Sequence, residues 1–251
     1  MDNKLKYQII TENENCIYYK ILYQNKNYFA KHYKKIKNIK MIYNEINILK
    51  ELTGLNVPKI LNYNIQKKYI IYNYISGQNL NHLKVAELKY KTLIFIKILD
   101  TISLIHKKGI IHCDLKPENI ILSGNIIYII DFGIACHLNQ PYIFKGIGSI
   151  EFSAPEQFNR ENVSVKTDIY SLGIILYKML TDVLPFTSST NNKDEIMHNH
   201  LNNNYILPSH ISSNLPSYYD RIIKKCLNPN PIDRYESVEE LKKDLITNIK
   251  Y

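Results

Sequence analysis

Apolar and polar positions alternate through residues 7–31, a stretch rich in Ile and Tyr. Polar breaks from Thr11 to Asn15 and from Gln24 to Asn27 divide it into three antiparallel strands, the third ending at Lys31. The period then lengthens. Met41, Ile48 and Leu52 share one stripe with Glu45, which predicts a helix over residues 38–52. Gly54 and Pro58 stop it. Two further strands, near residues 59–65 and 68–75, complete a small unit of five strands and one helix.

Beyond that unit the pattern is helical. Phe95, Ile98, Leu99, Ile102 and Ile105 recur at helix spacing over residues 89–107, and Gly109 ends the segment. That stripe reads as core. Ile169, Leu172, Leu176 and Met179 face inward on a helix that begins at Asp168 and is closed by Pro185-Phe186. Residues 187–204 are polar and Asn-rich, a loop with one short helix. A last helix starts at Ser237, with Glu240 three positions on as a capping box and Val238, Leu241 and Leu245 facing the core. There are no internal repeats.

The chemistry concentrates between the two patterns. Ile111-His112-Cys113-Asp114-Leu115-Lys116-Pro117-Glu118-Asn119 runs into a short strand, a turn at Ser123-Gly124-Asn125 and a second strand ending at Asp131-Phe132-Gly133. A hairpin brings its strand ends together. Asp114, Lys116 and Asn119 therefore meet Asp131, which gathers two carboxylates, an amide and an ammonium. One carboxylate can accept a proton, while the other and the amide offer hard oxygens to Mg²⁺.

Bulk properties narrow the reading only slightly. At 251 residues the chain is one large domain or two small ones. A count of 32 basic against 23 acidic residues gives +9, but the lysines form no block, so the charge reads as a generally basic surface without a nucleic-acid partner. Cys16, Cys113, Cys136 and Cys226 lack metal-type spacing and read as reduced thiols. Met1-Asp2-Asn3-Lys4 leads into no apolar signal core and no membrane span is visible, so the expected location is cytoplasmic.

The stretch around Asp114 and Asp131 resembles the catalytic loop and metal-binding turn of protein kinases of the Ser/Thr type. The resemblance extends over about residues 7–245. It implies an α+β, bilobal fold: a small five-stranded antiparallel N-lobe (1–75) and a larger helical C-lobe (76–251). By resemblance, Asp114 orients and deprotonates an acceptor hydroxyl. Asn119 and Asp131 hold Mg²⁺ or Mn²⁺, Lys31 braced by Glu45 grips the ATP phosphates, and Lys116 balances charge. Tyr72 takes the position at the back of the adenine site, lined also by Tyr18, Phe29, Asn73, Tyr74 and Ile75. Ser76-Gly77-Gln78 leaves the hinge. Gly148-Ser149-Ile150-Glu151-Phe152 faces a protein substrate, Asp168 holds the catalytic-loop backbone, and Arg234 pairs with Glu156 of Ala154-Pro155-Glu156.

Three features depart from the family. All eight glycines lie at or beyond Gly54, so Thr11, Asn13 and Cys16 stand where a glycine-rich loop is usual. Phe29 and Tyr18 replace small residues beside adenine. Cys113 replaces the arginine that pairs with an activation-segment phosphate. Lys31, Glu45, Asp114, Lys116, Asn119 and Asp131 are nevertheless all present. The expectation is an ATP-dependent Ser/Thr protein kinase. A pseudokinase scaffold is the alternative. A small-molecule kinase of the aminoglycoside type is a third reading, opposed by the Glu156 and Arg234 segments. The oligomeric state is left open.

Overall fold

The computed structural model describes residues 5–35, 39–85, 87–144, 146–159, 162–190 and 192–248. Met1-Asp2-Asn3-Lys4 and the expected helix start, Asn38, lie outside them. Strands β1 (Lys6–Glu12), β2 (Cys16–Tyr23) and β3 (Lys26–Tyr33) form the antiparallel meander that alternation predicts. β3 does not end at Lys31. His32 still pairs with Tyr69, and the fully buried Tyr33 continues the strand. Helix α1 (Ile39–Glu51) follows, then β4 (Ile60–Asn64) and β5 (Tyr69–Asn73). The five strands make one sheet in the order β1-β2-β3-β5-β4.

Among the described residues, five short strands and a long helix start the larger part. β6 (Gln78–Asn79) enters a 3-10 turn at Leu80–His82, and α2 (Leu88–Lys107) leads to β7 (Ile110–Ile111). Phe95, Ile98, Leu99, Ile102 and Ile105 of α2 are all fully buried, as their spacing predicts. The hairpin β8 (Ile120–Ser123) and β9 (Ile126–Ile129) comes next, then β10 (Cys136–His137), which pairs antiparallel with β7.

Among the described residues six helices follow: α3 (Pro155–Phe158), α4 (Val165–Thr181), α5 (Lys193–Asn202), α6 (Pro208–Ile211), α7 (Tyr218–Cys226) and α8 (Val238–Asn248). α4 begins before Asp168, where the Ser164 side chain accepts from Lys166 N, and ends at Thr181 because Asp182 turns left-handed (φ 62°) rather than at Pro185-Phe186. Its Met179 is only half-buried. Gly173 lets α4 touch α7: a Cβ there would lie 2.5 Å from Cys226 Cβ. Before α8, Ser237 Oγ accepts from Glu240 N (3.2 Å), but the Glu240 carboxylate accepts from Glu236 N (2.7 Å), one residue before the expected partner. No helix among the described residues is long and apolar enough to cross a membrane. All four cysteines are free and buried.

Candidate active site

The β8–β9 hairpin positions the polar cluster. Ile120 pairs with Ile129, and Ile130 N donates to Asn119 O (3.0 Å), so Asn119 and Asp131 emerge at the same end. Asp114 Oδ2 lies 3.0 Å from Lys116 Nζ and 3.3 Å from Asn119 Nδ2. Asp114 Oδ1 accepts from Ser149 N (3.2 Å), and Lys116 Nζ donates to Ser149 Oγ (2.7 Å). The segment expected to face a substrate is thus fastened to both charged groups of the loop. Burial lowers the Lys116 ammonium's pKa, but the Asp114 carboxylate outweighs it and leaves the net shift upward.

Two residues beside these carboxylates hold backbone conformations that L side chains rarely adopt, Cys113 (φ 64°) and Asp131 (φ 66°). Asp168 fixes the first. Fully buried, it accepts from His112 N and Cys113 N, both at 2.9 Å, and lies 2.8 Å from His106 Nε2. Burial raises its pKa, but His106 and then His112 hold the carboxyl below the ordinary range.

Lys31 connects the two parts. Its Nζ lies 2.9 Å from Glu45 Oε2 and 2.6 Å from Asp131 Oδ1. Lys31 and Glu45 are 3% and 2% exposed, so removing Lys31 strands a buried carboxylate. Burial works against the Lys31 ammonium, but Asp131 and Glu45 together hold its pKa well above normal. Burial likewise raises Asp131, and the bond and charge of Lys31 bring it below normal.

Sequence reasoning passed over several supports. Tyr33 Oη donates to Glu45 Oε2. Strand alternation carried that signal, since Tyr33 shares a face with Lys31. Asn44 Nδ2 faces three carbonyls, of Phe132 (3.3 Å), Gly133 (3.2 Å) and Ala135 (2.8 Å). Gln157 Nε2 donates to Cys113 O (2.8 Å). No local pattern marks Asn44 or Gln157, because their partners are distant in sequence.

Between the two parts lies a cavity of about 470 Å³. Lys31, Lys116, Asn119 and Asp131 line it with Tyr18, Phe29, Tyr72, Asn73, Tyr74 and Ile75, and Ile121 contributes to the same lining. The Phe29 ring stands 6.0 Å from both Tyr18 and Tyr72. Asn73 N–H is already donated to Lys59 O (3.0 Å), so it is not offered to a ligand. The mixture of ammonium groups and hard oxygens with aromatic and aliphatic walls fits a nucleoside triphosphate. Asn119 donates from Nδ2 to Asp114 O (2.8 Å) and Asp114 Oδ2, which leaves Oδ1 for a cation. Among the described residues no group of three His, Cys, Asp or Glu could hold a metal ion. Mg²⁺ shared with phosphates and waters needs fewer protein ligands.

The turn between β1 and β2 is closed by its own side chain. Asn13 Oδ1 accepts from Asn15 N (2.9 Å) and Cys16 N (2.8 Å), and Asn13 N donates to Cys16 O (2.9 Å). These N–H groups are spent within the turn. Asn13 is not left-handed, so its tolerance of that conformation is not used.

The segment after Asp131 rests on apolar contact. Cys113, Ile134, Cys136, Tyr142, Phe144 and Val163 belong to one buried cluster that also includes Ile111. Cys113 Sγ lies 3.7 Å from Cys136 Sγ. Further on, Arg234 makes a bidentate pair with Glu156 at 2.8 and 2.9 Å, fully buried and anchoring the Ala154-Pro155-Glu156 segment.

The fold and this arrangement of side chains define a protein kinase domain. The chain belongs to that family: a family model described as "Protein kinase domain" matches residues 10–246. It is similar to a probable serine/threonine-protein kinase of Clostridium perfringens, 31% identical over 211 residues, covering 80% of this chain and 30% of the relative. A probable serine/threonine-protein kinase of Clostridium acetobutylicum is 33% identical over 193 residues, 72% of this chain and 28% of the relative. Serine/threonine-protein kinase PknB of Mycobacterium tuberculosis is 30% identical over 188 residues, 71% of this chain and 30% of the relative. The chain thus spans under a third of the length of these relatives.

Proposed function

We propose that this chain transfers the γ-phosphoryl group of ATP to Ser or Thr hydroxyls of a protein substrate, with Mg²⁺ or Mn²⁺, in the cytoplasm. The observation that carries the reading is the Asp114–Lys116–Ser149 arrangement, in which a carboxylate and an ammonium share one anchored segment. Asp114 takes the acceptor's proton as the hydroxyl oxygen bonds to phosphorus and the bond to the ADP oxygen breaks. Lys116 offsets charge on the transferred group. Lys31, braced by Glu45, binds the α- and β-phosphates. Asn119 and Asp131 supply oxygen ligands to the divalent ion, which when bound neutralises phosphate oxygens. Tyr18, Phe29 and Ile75 border adenine. Residues 1–75 and 76–251 form the two lobes in this reading.

A second reading, a pseudokinase that recruits partners, draws on the Asn13-capped turn, whose N–H groups are not free for phosphate. Incubation with labelled ATP and Mg²⁺ or Mn²⁺ separates the two. Label on Ser or Thr with the wild type and none with Asp114→Asn supports transfer. Equal absence of label in both overturns it.

A further inference from the structure

A second cavity, of about 700 Å³, opens between the Leu80–His82 turn, the start of α2 and the end of α4. Its lining includes apolar Leu80, Ile94 and Ile175. Three lysines also line it, Lys84, Lys91 and Lys178, against one carboxylate, Asp182. Asp182 is 87% exposed and stands 3.7 Å from Lys91, a loose pair. Lys178 has neutral partners: it donates to Asn81 Oδ1 (2.9 Å) and lies 6.0 Å from the Phe152 ring centre. Among the described residues its positive charge is not matched by a carboxylate partner.

This cavity adjoins the catalytic loop directly, and Lys178 links it to the segment that Ser149 belongs to. Pro117, the neighbour of Lys116, is part of its lining. Phe152, under Lys178, belongs to the segment whose Ser149 N donates to Asp114. Asn79 Nδ2 donates to Glu118 O (2.6 Å) and so ties the Leu80–His82 turn to the catalytic loop. An extended chain spans about 3.3–3.6 Å per residue, so residues a few positions from an acceptor at Asp114 have the reach to extend beyond the catalytic loop. Glu118, exposed and lining the nucleotide cavity, is the acidic side chain on the loop side.

We propose that this cavity is a subsite for acidic side chains flanking the acceptor hydroxyl of a protein substrate. Lys178 and Lys84 meet Asp or Glu carboxylates, and the apolar lining takes their aliphatic stems. The proposal rests on the transferase reading for its choice of a peptide occupant.

The test uses one Ser peptide flanked by Glu, by Gln or by Lys. Fluorescence anisotropy with the acceptor changed to Ala reads binding without chemistry, and kcat/KM of the Ser forms reads turnover. The expected result is about tenfold tighter binding of the Glu peptide than the Gln peptide, or about 1.4 kcal/mol, shrinking with added salt. Lys178→Glu combined with Lys84→Glu should turn the preference toward the Lys peptide. Lys178→Gln, the milder change, should reduce the Glu/Gln ratio. Equal binding of the Glu and Gln peptides, or a preference untouched by Lys178→Gln and by the double reversal, overturns the subsite. Discrimination in binding with no transfer to any peptide keeps the subsite and overturns the transferase reading instead.

Discussion

Phe144→Ala tests how the segment after Asp131 is held in place. Phe144 is 4% exposed and packs in the cluster with Cys113, Ile134, Cys136 and Tyr142. Cys113 occupies the position where the resemblance places a phosphate-pairing arginine, so apolar burial replaces a charge clamp. Among residues from Gly133 to Ala154 the hydroxyl-bearing side chains are Tyr142, Ser149 and Ser153. Tyr142 and Ser153 are 2% and 7% exposed, and Ser149 is held by Lys116. Activity should therefore not require phosphorylation of this segment. Truncating a buried Phe to Ala costs about 3–5 kcal/mol. A small cluster under a loop can partly collapse, which favours about 3 kcal/mol here. At about 1.4 kcal/mol per tenfold, the balance between seated and released segment moves about a hundredfold. Hydrogen exchange across residues 132–152 should rise and peptide phosphorylation should fall, while phosphatase treatment leaves the wild type unchanged. A phosphatase-treated wild type that loses activity and regains it on rephosphorylation of this segment would refute the reasoning, as would full activity and unchanged exchange in Phe144→Ala.

Three further outcomes are expected. Asp131→Ala should abolish metal-dependent nucleotide binding, read by calorimetry, whereas Asp114→Asn should keep binding and lose transfer; wild-type affinity in both variants would contradict the assignment of Asp131. ATP should bind weakly, because two missing backbone bonds at about 1–2 kcal/mol each lower affinity about thirty- to a thousandfold, and Phe29→Ala should tighten it by relieving crowding between Tyr18 and Tyr72; weaker binding in the variant would mean the ring stacks on adenine. His200 is buried, and desolvation lowers its pKa from 6.5 to about 3. Between these values the unfolded chain binds the proton and the folded one does not, so stability should be retained above about pH 6.5 and fall by up to about 1.4 kcal/mol per pH unit below it. His200→Phe should flatten that slope in urea melts, and an unchanged slope would count against a neutral buried His200.

The parts legible in sequence were those written in local spacing. Alternation marks the first three strands of the sheet, and helical period marks α2 together with its buried face. The polar groups around Asp114 sit within a few residues of one another, and a short hairpin is enough to bring in Asp131. The bounds of β3 and α4 differ from those that local spacing predicts because a cross-strand partner, Tyr69, and a left-handed residue, Asp182, decide them. β7 and β10 are two residues each and exist only through mutual pairing, which no window over either strand contains. Helix α7 is different. Tyr219, Ile222, Ile223 and Cys226 have helical spacing and are buried, so the sequence carries its signal. The closed β1–β2 turn was foreseen as lacking glycine, but not as self-capped by Asn13.

The bonds from Asn44 bear on which compounds could inhibit this chain. One way for a ligand to gain room is to evict Phe132, which follows Asp131, and occupy its seat. Here Phe132 is fully buried with its ring 4.8 Å from that of His112, and Asn44 on α1 faces the carbonyls of Phe132, Gly133 and Ala135. Eviction forfeits those bonds and uncovers the ring together. Selective chemistry against this chain is better directed at the aromatic wall of Tyr18, Phe29 and Tyr72, with the turn left undisturbed.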